Sequence, residues 1–206
     1  MVSSIRMLFL AFLALASSSA LAAPQLPLPL PEHAIGSPDA PIRVDEYLST
    51  TCSHCAHFYL QTLPKLDALY VKTGKVRFVL HNFPLDGFSL KTAAVAECMP
   101  KDGFFPFIKT VYSALIQGQL TSRNAEQKLF QIAALGGLAA DKAKACANDT
   151  ALQNAIIEAR TRATEKYDIR ATLTFIINEG AEVINGAQST AAFSALFDKM
   201  LAARNK

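Results

Sequence analysis

Two cysteines three residues apart, Cys52 and Cys55, stand where one hydrophobic periodicity gives way to another. Before them, Ile42 to Leu48 (IRVDEYL) alternates with a period of two and reads as a strand entered through Ser37-Pro-Asp-Ala-Pro41. After them, from Ser53 to about Lys72, Phe58, Leu63, Leu66 and Tyr70 recur three to five residues apart, a helical spacing. Pro64 removes one backbone donor inside that helix, so a kink is expected there. Val76 to Leu80 (VRFVL) is a second strand, stopped by Asn82-Phe-Pro84. Strand, helix, strand with short joins predicts a parallel pair crossed by a helix. The cysteine pair then falls at the junction of the first strand and its helix.

On the strand's period, Ile42, Val44, Glu46 and Leu48 share a face, and Glu46 is the acid among aliphatics. A buried carboxyl there would have a raised pKa and could exchange a proton near neutrality. The alternative is an edge-strand acid pointing to water.

A helical region runs roughly from Ser89 to Lys166. Its pieces are Leu90–Cys98, Phe104–Ile116, Ala125–Leu135 stopped by Gly136-Gly137, Asp141–Cys146 and Ala151–Lys166. Leu173 to Ile177 (LTFII) reads as a strand, Asn178-Glu-Gly180 as a turn and Val183-Ile184 as a short partner strand. Thr190 is expected to cap a last helix whose Phe193, Leu196, Phe197, Met200 and Leu201 form one apolar stripe of core. The fold class is therefore α/β, with a closing antiparallel hairpin and an inserted helical block.

The first residues belong to targeting. Arg6, the apolar run Met7 to Ala16 and the Ala20-Leu-Ala22 ending are the three parts of a secretory signal peptide over residues 1–22. The run falls short of the roughly 20 apolar residues of a spanning helix. Residues 23–32, holding PQLPLPLP from Pro24 to Pro31, read as an extended Pro-rich linker. Removing the leader leaves about 184 residues, enough for one domain with a sizeable core. The leader holds one of the chain's 20 basic residues and none of its 17 acidic ones, so the remainder is nearly balanced. No Lys/Arg cluster interleaved with aromatics appears, which argues against nucleic acid as a partner.

Export places the four cysteines where disulfides persist. Their spacing divides into one local pair, Cys52 and Cys55, and one distant pair, Cys98 and Cys146. A cysteine at a helix N-terminus faces unsatisfied N–H groups and the positive end of the helix dipole, which favour thiolate over thiol. His54, if protonated, adds a cation. Cys52 is then the attacking thiolate and Cys55, one turn into the helix, the resolving thiol. A metal site on Cys52, Cys55 and His57 is the rival, but a structural zinc site wants four ligands and the other two cysteines are isolated. The reading is redox, with no metal. His33, His57 and His81 read as surface or packing residues, and Phe104-Phe105-Pro-Phe107 as core.

Three stretches carry a resemblance: Val44-Asp-Glu-Tyr-Leu-Ser-Thr-Thr-Cys-Ser-His-Cys55; Gly74-Lys-Val-Arg-Phe78 with Asn82-Phe-Pro-Leu85; and Thr172-x-Thr-Phe-Ile-Ile-Asn178. They resemble the DsbA family of periplasmic thiol oxidases, from about His33 to the C-terminus. The resemblance implies a thioredoxin-like fold over 33–84 and 168–206, interrupted by an all-helical insertion over 85–167. It implies a monomeric periplasmic enzyme without a cofactor that gives its disulfide to reduced exported proteins. A quinone-linked, DsbB-like membrane oxidase would then restore it. It also assigns Glu46 as the buried acid beneath the cysteines, moving a proton. Some relatives carry a second, structural disulfide in the helical block, which would pair Cys98 with Cys146; two free buried thiols are the alternative. The family usually has Pro-His between its cysteines, so Ser53-His54 here implies a less oxidising pair.

Where the family reads Thr-Pro-Thr, with the proline cis and facing the cysteines, this sequence reads Thr172-Leu173-Thr174. Leu173 either carries a cis bond or re-routes the loop as trans, and Thr172 and Leu173 are the expected substrate-binding residues. Competing readings are a disulfide isomerase or reductase on the same fold, and a non-catalytic chaperone or metal carrier.

Overall fold

The computed structural model describes residues 30–204. The signal-peptide expectation for 1–22 and all but the end of the 23–32 linker lie outside the described residues.

Strand β1 (His33–Ile35) is followed by β2 (Ile42–Leu48), and helix α1 (Ser53–His57) starts directly after Cys52. The helical path continues through a π-helical turn Phe58–Thr62, α2 (Leu63–Leu66) and a second π-helical turn Asp67–Val71. Pro64 sits in the first turn of α2, where its missing N–H does least harm. The wider i→i+5 bonding on either side accommodates it, as when the Leu63 N–H donates to the Phe58 carbonyl. Strand β3 (Val76–Asn82) then runs parallel to β2, in register from Ile42–Val76 to Leu48–Asn82.

Five helices separate β3 from the remaining strands among the described residues: α3 (Gly87–Glu97), α4 (Phe104–Ile116), α5 (Ala125–Leu135), α6 (Ala140–Ala147) and α7 (Thr150–Tyr167). Asp86 caps α3 in a capping box with Ser89, and the Asp149 carboxylate accepts the Leu152 N–H at the start of α7. Cys98, just past α3, is disulfide-bonded to Cys146 in α6. Strand β4 (Thr174–Ile177), β5 (Glu182–Asn185) and α8 (Thr190–Arg204) close the fold. The Ser189 hydroxyl accepts the Ala192 N–H at 3.1 Å, so Ser189 rather than Thr190 caps α8. A side chain one residue earlier reaches the free amides of the first turn.

The sheet order is β1-β3-β2-β4-β5. β4 runs antiparallel to β2, and β1 antiparallel to β3. With three residues, β1 is too short for a periodic signal, and the sequence reading missed it. β2 is the central strand, and packing covers both of its faces. On one face Phe58, Phe78, Phe175, Phe193 and Phe197 form the aromatic centre of the core, each 0–1% exposed. On the other, Tyr47 and Ile176 pack with Phe83, Ala163 of α7 and Ile169. The alternation read in IRVDEYL therefore does not leave a wet face. Asp45 is 7% exposed, held by Arg43 at 2.7 Å and His81 at 2.7 Å. Burial pushes its carboxyl up, and His81 and Arg43 outweigh that and hold it below the usual range.

Candidate active site

Cys52 is the N-cap of α1, in extended conformation, and its sulfur accepts the Cys55 N–H at 3.4 Å. Its own N–H donates to the Ser49 carbonyl at 3.1 Å, closing a turn at the end of β2. Both cysteines are free thiols, Cys52 half-buried and Cys55 fully buried. The helix brings them together because positions three apart fall one turn from each other on the same side.

The two thiols meet opposite surroundings. The Cys52 pKa is lowered to about 5. The Cys55 thiol is the largest cause; burial opposes it, and the Thr172 hydroxyl and the backbone N–H groups of Cys55 and His54 add to the lowering. The Thr172 hydroxyl is buried and has no partner within hydrogen-bond distance. Burial pushes the Cys55 thiol far up, and hydrogen bonding to Cys52 adds to it. The first sulfur is thereby prepared as thiolate and the second as thiol.

Glu46 stands in β2 between Leu80 of β3 and Phe175 of β4, fully buried. That disposes of the edge-strand alternative. Neither carboxylate oxygen has a hydrogen-bond partner, and desolvation raises the pKa to about 8. Its field reaches Cys55 and the buried Tyr59 and Tyr112, raising all three, with burial the larger cause in each.

His54 is exposed. Its backbone N–H is among the groups that lower the Cys52 pKa. His57 is exposed too, its Nδ1 3.3 Å from the Gln61 amide. His33 stacks on Phe104 and bonds Glu97, and His81 bonds Asp45, so both are packing residues.

The Thr172–Leu173 peptide bond is cis. The Thr172 carbonyl lies 3.8 Å from the Cys52 sulfur, which donates to it as a thiol. The Leu173 side chain is buried, and its carbonyl accepts the Gly186 N–H at 2.7 Å. Thr172 and Leu173 are thus beside the thiols, with the Leu173 carbonyl already engaged.

Sequence reasoning missed Ser49, Thr51, Asp86 and Tyr112. The Thr51 hydroxyl donates to Asp86 Oδ2 at 2.6 Å, and the Tyr112 hydroxyl donates to the Ser49 carbonyl at 3.2 Å. The partners lie 35 and 63 residues apart, and no local pattern connects them.

A Cys-x-x-Cys pair at the N-terminus of the helix that follows a central strand is a thioredoxin-type site. The thioredoxin family profile matches residues 30–199, and the chain belongs to that family. Within it the chain is DsbA-like. It is similar to alpha-DsbA1 of Wolbachia pipientis, at 32% identity over 85% of this chain and 92% of that one, with a TM-score of 0.75. BdbD of Bacillus subtilis, at 19% identity, shares the fold, with a TM-score of 0.72 over 83% of this chain and 93% of that one. A Rickettsia bellii relative named "Putative protein-disulfide oxidoreductase" is 27% identical over 81% of this chain, which spans only 63% of that protein's length.

Proposed function

We propose that this protein is a thiol–disulfide oxidoreductase working as a dithiol oxidase, exported by its leader to the periplasm, where it introduces disulfides into reduced exported proteins. The observation that carries the reading is the asymmetry of the pair: a half-buried, acidified Cys52 above a buried Cys55 and the partnerless Glu46. An acidic thiol is a good leaving group, and its stable thiolate favours the reduced enzyme, so the disulfide is readily given away.

The cycle starts from the Cys52–Cys55 disulfide. A substrate thiolate attacks Cys52 Sγ, a mixed disulfide forms and the bond to Cys55 breaks. Cys55 leaves as thiolate and takes a proton, which Glu46, protonated below about pH 8, would supply. The substrate's second thiolate then attacks its own sulfur in the mixed disulfide and releases the Cys52 thiolate. Two electrons have passed from the substrate dithiol to the enzyme. A quinone-linked, DsbB-like membrane oxidase would remove them, and the enzyme would act as a monomer. Thr172 and Leu173, beside Cys52, would line the substrate's path.

The test is oxidation of a reduced two-cysteine peptide, beside the equilibrium of the Cys52–Cys55 pair with glutathione. An oxidase gives stoichiometric peptide oxidation and a potential well above that of a reductase, and Cys52→Ser abolishes both. A strongly reducing pair that reduces insulin but leaves the peptide untouched would refute the oxidase direction.

A further inference from the structure

The turn that presents Cys52 is held from the helical insertion. The Ser49 carbonyl accepts two hydrogen bonds, one from the Cys52 N–H at 3.1 Å and one from the Tyr112 hydroxyl at 3.2 Å. Ser49 and Tyr112 are both buried, 1% and 0% exposed. The first bond shapes the turn; the second reaches it from α4. A second contact is more open. Thr51 Oγ1 lies 3.1 Å from the Ser49 hydroxyl and donates to Asp86 Oδ2, while Asp86 Oδ1 accepts the Ser89 N–H at 2.7 Å and caps α3. The insertion thus holds the turn at Ser49, from α4, and at Thr51, from the cap of α3.

Ser49 serves both sulfurs. Its carbonyl is bonded to the Cys52 amide, and its backbone N–H opposes the upward push that burial exerts on Cys55. A buried carbonyl with both lone pairs occupied is fixed in direction and turns less negative potential toward a neighbouring thiolate. Removing the Tyr112 hydroxyl frees one lone pair in a dry site beside Cys52.

We infer that Tyr112 is a positioning residue for the Cys52 thiolate, acting through the Ser49 carbonyl, with the Thr51–Asp86 contact as a second arm. The inference rests on the reading of Cys52 as nucleophile and assigns part of its preparation to the inserted helices.

Tyr112→Phe tests it, because the ring and its packing on Tyr59, with centroids 5.4 Å apart, are kept and only the hydroxyl is lost. Tyr59→Phe is the control. The Tyr59 hydroxyl donates to the Phe105 carbonyl of α4 at 3.1 Å, so this variant loses an equivalent bond to the same helix without touching Ser49. The readouts are thiolate absorbance against pH, alkylation of reduced Cys52 by iodoacetamide below its half-titration point, and thermal melting. In Tyr112→Phe the half-titration point of Cys52 should rise by about half a pH unit, which cuts the alkylation rate about threefold. Tyr59→Phe should lose a similar amount of stability and leave the titration in place. Thr51→Val should move the titration in the same direction, by less.

A Tyr112→Phe variant that titrates with the parent, or a Tyr59→Phe variant that shifts as far, overturns the inference. Should Tyr112→Phe fail to fold, Thr51→Val decides, and an unmoved titration there also overturns it. If the parent's Cys52 itself titrates as an ordinary thiol, the proposed function falls too. An acidic parent with an unmoved Tyr112→Phe sinks the positioning role alone.

Discussion

Cys52 and Cys55 occupy one helical turn, yet one sulfur is acidified to about 5 and the other is driven upward. The difference comes from depth: the N-cap sulfur gathers donors, while the sulfur one turn in meets aliphatic and aromatic neighbours and Glu46. Alkylation of the reduced protein near pH 6 should therefore modify Cys52 first and leave Cys55 nearly untouched. Preferential labelling of Cys55 would reverse the roles. Glu46 gives a second prediction, with a sign. Its folded pKa of about 8 lies above the ordinary 4.5, so the native state keeps a proton that the unfolded chain releases. The associated stability is present in full below about 4.5 and is lost as the pH rises to about 8. Glu46→Gln should melt with the parent near the lower end of that window and above it near the upper end, by an amount on the order of a few kcal/mol. Its peptide oxidation should also lose pH dependence across the same window. Parallel melting curves for parent and variant from pH 4.5 to 8 would show that Glu46 does not titrate there.

At the scale of elements, the inserted helices are joined to one another by the Cys98–Cys146 disulfide and to the active-site turn by Tyr112 and Asp86. The disulfide closes a loop with a sequence separation of 48, which in the chain-entropy picture stabilises by up to about 4 kcal/mol. Replacing both cysteines by serine should lower the melting temperature by several degrees and leave alkylation of Cys52 unchanged, since neither sulfur touches the site. A variant as stable as the parent would mean that α3 and α6 pack without the covalent tie. The start of α7 rests on Asp149, whose carboxylate accepts the Leu152 N–H at 3.1 Å. Asp149→Ala should cost about 1 kcal/mol, read by denaturant unfolding, while Asp149→Asn should cost less because the amide oxygen can still cap.

For the whole molecule, the redox state of the pair should set the stability of the fold. The folded pKa of Cys52, about 5, lies below the ordinary 9.0, so the thiolate contributes stability present above the ordinary value and lost as the pH falls through about 5. The oxidised protein has no such group. The melting temperature of the reduced form should accordingly gain on that of the oxidised form as the pH is raised from 5 to 9. Paired calorimetric scans measure the difference, and a gap that is flat or shrinks with pH would contradict a native thiolate. The same difference is the thermodynamic drive of the proposed oxidase, because stability gained on reduction is free energy available for oxidising the substrate.

Much of this was legible in the chain itself. The change from a period of two to a helical period at Cys52 locates the site, because a strand handing over to a helix leaves the first cysteine on free amides. Glu46 betrayed its burial by sharing the parity of Ile42, Val44 and Leu48, and the helices Phe104–Ile116 and Ala125–Leu135, the second stopped by Gly136-Gly137, were read with the bounds they have. Local periodicity could not show β1, whose three residues are a strand only because β3 offers them partners. Nor could it show that β2 is covered on both faces, a consequence of α7 packing on the side where Asp45 and Tyr47 point. His54 offered only its identity, and that its side chain is exposed beside Cys52 followed from the fold. The hold of Tyr112 on Ser49 was invisible for the same reason: hydrogen bonds between residues far apart along the chain are chosen by how the helices pack, and the sequence records only that each partner can donate or accept.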